Sequence, residues 1–168
     1  MKTRAAALLI VILLASVHAV TARSPEAPAA PATAPAFSLP GRNGPVTLAG
    51  LTGKLIYVDF WASWCGPCRQ SFPWMATMHA RYAAKGLAVV AINLDKDRNA
   101  AETFLLEHPA PFLIAYDPLG KTAESFHVAT MPSSYLIGPN GAILRSMAGF
   151  DPAEAGAVEQ AIREALPQ

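Results

Sequence analysis

The chain's only two cysteines, Cys65 and Cys68, are separated by Gly66 and Pro67 inside VDFWASWCGPCRQSFP, residues 58–73. A thiol pair at that spacing can act as a structural staple, as part of a metal clip, or as a dithiol that opens and closes. Just ahead of it, Asp59 is the only charged residue in the run LIYVDF, residues 55–60. A carboxyl buried beside such a strand resists ionisation, which moves its pKa up toward neutrality. Such a group either performs chemistry or bonds a local backbone donor.

These residues sit in a chain of 168 residues, about one domain's worth, which can bury a core without cross-links. A disulfide is therefore not needed to hold the fold. The formal net charge is +1 and no long run of like charge occurs, so a nucleic-acid partner has nothing to act through. His79, His108 and His127 are scattered without ligand-like spacing, which argues against a metal site.

The N-terminus has the layout of an export signal over residues 1–22. Lys2 and Arg4 precede an apolar run from Ala5 to Val17, and small residues follow at Ala19 and Ala22. The run is short for a membrane span, so cleavage is the expected outcome, with an uncleaved anchor as the other. Residues 23–36, RSPEAPAAPATAPA, alternate alanine and proline and read as an extended linker. The folded domain is expected over residues 37–168.

Within that domain, Gly, Pro and Asn punctuate short apolar pieces from Phe37 to Lys54, predicting an N-terminal hairpin. LIYVDF and LAVVAIN (residues 87–93) are continuous apolar runs suited to buried strands, and Arg69 to Lys85 is a helix closed by Gly86. Asp97 or Asn99 caps a helix running to His108, stopped by Pro109 and Pro111. FLIAYD is a short extended piece, and a turn or two of helix follows from Leu119 to His127. SSYLIGPNGAILRSMAGF is a hairpin about Pro-Asn-Gly. A last amphipathic helix opens with Asp151 as N-cap and Pro152 at its first position. A strand–helix–strand crossover demands parallel pairing of the first two main strands, and the tight turn demands antiparallel pairing of the last two.

Trp64-Cys65-Gly66-Pro67-Cys68 at a strand-to-helix junction, Pro73 within that helix, and Met131-Pro132 before a later strand resemble the thioredoxin superfamily. The wider context, FSLPGRNGPVTLAGLTGK leading into VDFWASWCGPC and then MPSSYLIGPNG, is similar to its exported TlpA/ResA-like branch. The resemblance covers roughly residues 37–168. It implies a thioredoxin-like three-layer α/β/α fold, with a mixed central sheet and an N-terminal β-hairpin extension. It also implies a redox disulfide between Cys65 and Cys68. Backbone amides and the dipole at the helix start favour a thiolate at Cys65, the nucleophile, and Cys68 is the resolving thiol. Asp59 matches the acid that takes the resolving thiol's proton. Pro132 is implied to be cis, bringing the main chain of Thr130 and Met131 beside the cysteines to pair with an extended substrate. Trp64, Gly66 and Pro67 complete the implied substrate-binding surface; Trp61 is expected in the core, and Trp74 is expected on the helix with no special role.

One departure bears on pathway. Cytochrome-maturation members of the branch carry an acid after the second main strand, where this chain has Asp95-Lys96-Asp97 with Lys96 at the matching place. Other readings weaken on inspection. Arg69 stands where haem attachment needs a histidine, and copper-delivery relatives space their cysteines by three residues. A purely structural disulfide closing so small a loop constrains little unfolded-chain entropy. The expected function is a periplasmic disulfide reductase acting on client proteins without a cofactor, because a Gly-Pro pair between the cysteines resembles the reducing thioredoxins. It would be recharged by a membrane electron donor. The alternative is a non-catalytic metal- or partner-binding module of the same fold.

Overall fold

The computed structural model of the protein describes residues 32–166. The expected export signal and the linker up to residue 31 lie outside them. In chain order the elements are β1 (Ser38–Leu39), β2 (Val46–Thr47), β3 (Leu55–Trp61), α1 (Cys68–Tyr82), β4 (Leu87–Asn93), α2 (Arg98–Glu107), β5 (Leu113–Tyr116), α3 (Lys121–Ser125), β6 (Ser133–Ile137), β7 (Ile143–Ala148) and α4 (Ala155–Ala165).

The two long apolar runs become neighbours at the centre of a five-stranded sheet ordered β5-β4-β3-β6-β7. β3 pairs with β4 in parallel and with β6 antiparallel, β4 with β5 in parallel, and β6 with β7 antiparallel. Every residue of β3 and β4 is buried, which is why neither shows a polar–apolar alternation. β1 and β2 form the small antiparallel N-terminal hairpin. This is the thioredoxin-like mixed-sheet arrangement that the motif order implied.

Side chains alternate across β3. Leu55, Tyr57 and Trp61 join a core cluster with Phe72 and Met75 of α1, Phe104 of α2 and Ile162 of α4. Ile56, Val58 and Phe60 point the other way, into a cluster with Phe126, Phe37 and Val46. Helices cover both faces, but unequally: the three longest share one, and the short α3, the hairpin and the N-terminal segment close the other. There Phe126 stands within 5.3 Å of Phe60 and 5.0 Å of Tyr135, ring centre to ring centre.

α1 buries Cys68, Phe72, Met75, Met78 and Tyr82, three and four residues apart, as a single apolar stripe. A short 3-10 turn at Ala83–Lys85 extends it to Gly86, whose φ of 102° lies in the left-handed region a glycine adopts without steric cost. α2 starts at Asp97, which accepts the Asn99 amide at 2.9 Å.

Two boundaries differ from expectation. The last helix begins at Ala155, with Asp151 bonded instead to the Ala153 amide in a preceding turn, because Pro152 to Glu154 form that turn and not the first helical one. The fold also engages chain within the stretch read as linker. Ala32 accepts from Ile143, Ala34 donates to Gly141, and Ala34 is buried against the second core cluster. These hydrogen bonds use only the backbone amide and carbonyl of alanines, which carry no side-chain signature, so composition did not reveal them.

Phe126 is fully buried among three aromatic rings. Phe126→Ala should lower the unfolding free energy by about 3–5 kcal/mol in urea titrations.

Candidate active site

β3 delivers the chain to the site. After Trp61, the Cys65 amide bonds the Ala62 carbonyl at 3.1 Å, and the Arg69 amide bonds the Gly66 carbonyl at 3.2 Å. α1 thus starts at Cys68, with Cys65 just in front of its amide-bearing end and no acid in its first turn to oppose the field there. The two sulfurs are bonded, with the Cα atoms 5.4 Å apart. Both cysteines are buried, Cys65 at 3% exposed and Cys68 fully.

Next to the disulfide, Trp64 is 69% exposed, an unusual cost for an indole outside an interface. It lines a groove of about 420 Å³ with Leu94, Ala123, Val128, Ala129, Thr130 and Met131. The Met131–Pro132 bond is cis, and Met131 packs on the cluster that holds both cysteines. The Ser133 hydroxyl bonds the Thr130 carbonyl, and the Gly149 amide bonds that of Pro132. The main chain of Met131, between them, forms no hydrogen bond among the described residues. Gly66 and Pro67 are exposed at the rim. Trp61 is core as expected. Trp74 does more than expected: it packs edge-on against Tyr57 at 5.4 Å and touches Phe150.

Asp59 lies on the β3 face that α1 covers, by parity with Tyr57 and Trp61. It is completely buried. One carboxyl oxygen, Oδ1, accepts the Ser134 hydroxyl at 2.7 Å, and the other, Oδ2, has no hydrogen-bond partner among the described residues. Burial is the largest influence on this group and raises its pKa to about 7; the Ser134 hydrogen bond pulls the other way and is outweighed. The reading that Asp59 bonds a local backbone donor is corrected here: its partner is a side chain on another strand.

Of the acids after β4, Asp95 is the one that reaches the active-site loop. It accepts the Ser63 amide at 2.8 Å, the Ser63 hydroxyl at 3.0 Å and the Asn93 amide at 2.7 Å. Asp97 caps α2, and Lys96 is exposed. Arg69 lies over the Phe104 ring and meets His108 at 3.3 Å and Glu107 at 3.5 Å. No group of three or more His, Cys, Asp or Glu is placed to hold a metal ion among the described residues. Ser134 is the residue that sequence reasoning missed. Its hydroxyl, on the same face as Leu136, sits in SSYLI beside Ser133 and Tyr135, so no lone polar residue marked it as Asp59 is marked in LIYVDF.

A family model described as Redoxin matches residues 29–162. The chain belongs to the Redoxin family. Among curated Redoxin relatives, the thiol-disulfide oxidoreductase ResA of Bacillus subtilis is 30% identical over 69% of this chain and 65% of its own length. ResA of Oceanobacillus iheyensis is 36% identical over 58% of this chain and 51% of its own. The chain therefore spans between half and two thirds of these relatives' lengths. A crystal structure from Chlorobium tepidum, provisionally assigned as a thiol:disulfide interchange protein DsbE, superposes with a TM-score of 0.80 at 51% identity, covering 83% of this chain and 99% of that one. The disulfide-bonded Cys65 and Cys68 thus stand at a helix start in a fold shared with these proteins.

The raised Asp59 pKa has a consequence for stability. Between an ordinary carboxyl value of about 4 and the folded value of about 7, the folded chain keeps a proton that the unfolded chain has lost. Stability from this group is therefore present at the acid end and falls as pH rises through the interval. Relative to the wild type, Asp59→Asn should remove that slope in denaturant titrations of the oxidised protein. Above the folded value the variant should be the more stable, by on the order of a few kcal/mol.

Proposed function

We propose that the protein is an exported thiol–disulfide oxidoreductase that reduces client disulfides in the bacterial periplasm. The observation that carries this reading is the bonded Cys65–Cys68 pair at the start of α1, with a wholly buried carboxyl, Asp59, on the face of the sheet that α1 covers. The names of the similar ResA and DsbE proteins support the exchange chemistry. The Gly-Pro pair between the cysteines supports the reducing direction. Export is supported by the charged start, apolar run and small residues of positions 1–22. Among the described residues no helix is long and apolar enough to cross a membrane.

In the reduced protein, Cys65 attacks a client disulfide as the thiolate and forms a mixed disulfide, releasing one client thiolate. Cys68 gives its proton to Asp59 at the unpartnered Oδ2 and attacks the Cys65 sulfur. The second client thiolate leaves. Two electrons have moved from the dithiol to the client, and the Cys65–Cys68 disulfide is closed. The client lies in the groove under Trp64, its backbone paired with the unbonded main chain of Met131. Because the periplasm is kept oxidising, a membrane electron donor must reopen the disulfide.

The wild type should reduce insulin disulfides, and Cys65→Ser should lower the rate by on the order of a hundredfold or more; equal rates would leave only a binding module. Cys68→Ser should accumulate mixed disulfides with its clients. The reduction potential should lie near about −270 mV, and a value near about −120 mV would make the protein an oxidase.

A further inference from the structure

A buried base that takes a proton in every cycle has to lose it again, and the surroundings of Asp59 leave few ways out. On the same side of the sheet α1 contributes Cys68, Phe72 and Met75 to the core, all essentially without exposure. Trp61 is fully buried on the same face of β3, and the residue paired with Asp59 on β4 is Ala91, whose methyl can carry no proton. The single polar side chain bonded to it is Ser134, directly opposite on β6.

Ser134 has a second polar neighbour. Tyr57, two positions before Asp59 on β3 and on the same face, stands diagonally across the β3–β6 register from Ser134, a spacing an aromatic side chain can bridge. Tyr57 in turn lines a cavity of about 360 Å³ between α1, β7 and the start of α4. Trp74, Arg145, Asp151 and Glu154 also line that cavity, so it is polar enough and large enough to hold several waters. It lies apart from the Trp64 groove, with which it shares no lining residue.

We propose that this cavity is the proton port of the redox centre, and that Asp59 exchanges protons with its water through the Ser134 hydroxyl and the Tyr57 phenol. The proposal rests on the reading of Asp59 as the base for Cys68. The proton arriving at Oδ2 is turned toward Ser134 by a half-rotation of the carboxyl group. Ser134 accepts it and passes its own proton to the Tyr57 oxygen, and the Tyr57 proton leaves to water. Each oxygen ends as it began, and no charge is left on the phenol. Burial raises the Tyr57 pKa, which keeps that phenol protonated and able to work as donor and acceptor at once. The client can then occupy the Trp64 groove without closing the route by which the proton leaves.

The test is the resolving step, followed by tryptophan fluorescence after mixing reduced protein with excess small-molecule disulfide, in H₂O and in D₂O across neutral pH. Tyr57→Phe and Ser134→Ala should each slow that step by on the order of tenfold and enlarge its solvent isotope effect. Ser134→Thr, which keeps the hydroxyl, should recover the wild-type rate, and imidazole should rescue Tyr57→Phe. Wild-type rates and isotope effects in both Tyr57→Phe and Ser134→Ala would overturn the relay. So would slowing that neither the retained hydroxyl nor imidazole relieves, since that is a packing defect. Asp59→Asn separates the two levels. If it is slow while Tyr57→Phe and Ser134→Ala are not, only the relay fails; if it too is unchanged, the base itself is wrong.

Discussion

β3 is hydrogen-bonded along both edges, in parallel to β4 and antiparallel to β6, and is covered on both faces. A strand held in this way cannot slip: a shift of one residue would send Tyr57, Asp59 and Trp61 to the opposite face and Ile56, Val58 and Phe60 under the helix. The position of Asp59 on the face covered by α1 follows from that register. The loop between strand and helix is tied down independently, by Asp95 to Ser63. The redox pair is therefore held from two directions by groups that do not take part in the exchange.

The same enclosure creates the electrostatics. The Asp59 carboxyl is wholly buried from bulk solvent, and a single neutral hydroxyl is a poor substitute for a hydration shell. Desolvation outweighs that hydrogen bond, so the group sits near neutrality, where it can accept and release a proton at little free-energy difference. An ion pair at this place would instead have held the carboxylate ionised. Trp64 is the counterpart on the outside: it stays 69% exposed beside the disulfide, whereas Trp61, three residues earlier, is wholly core.

Much of the architecture was legible because it is written locally. Leu55 to Phe60 and Leu87 to Asn93 could only be buried strands, Gly86 had to end a helix, and Asp97 capped the next one. The misreadings share a cause. Asp151-Pro152 has the composition of a helix start, yet the turn it forms is followed by the helix and not included in it. Ala32 and Ala34 attach through backbone groups, which carry no side-chain signature. Trp74 was expected on the helix with no special role because nothing near it in the chain announces Tyr57 or Phe150.

By itself the amino-acid sequence determined the chemistry available to this protein: two thiols at a spacing that can close a ring, a carboxyl in an apolar strand, and the order of strands and helices that brings them near. These are properties of neighbours along the chain, where spacing and periodicity are direct physical constraints. Tertiary structure alone decided that Asp59 pairs with Ser134, 75 positions away, that Ser63 is held by Asp95, and that Tyr57 opens onto a cavity of its own. Which side chain lies opposite another across a sheet depends on the register between distant strands, and that register is settled by the packing of the whole core and not by any local pattern.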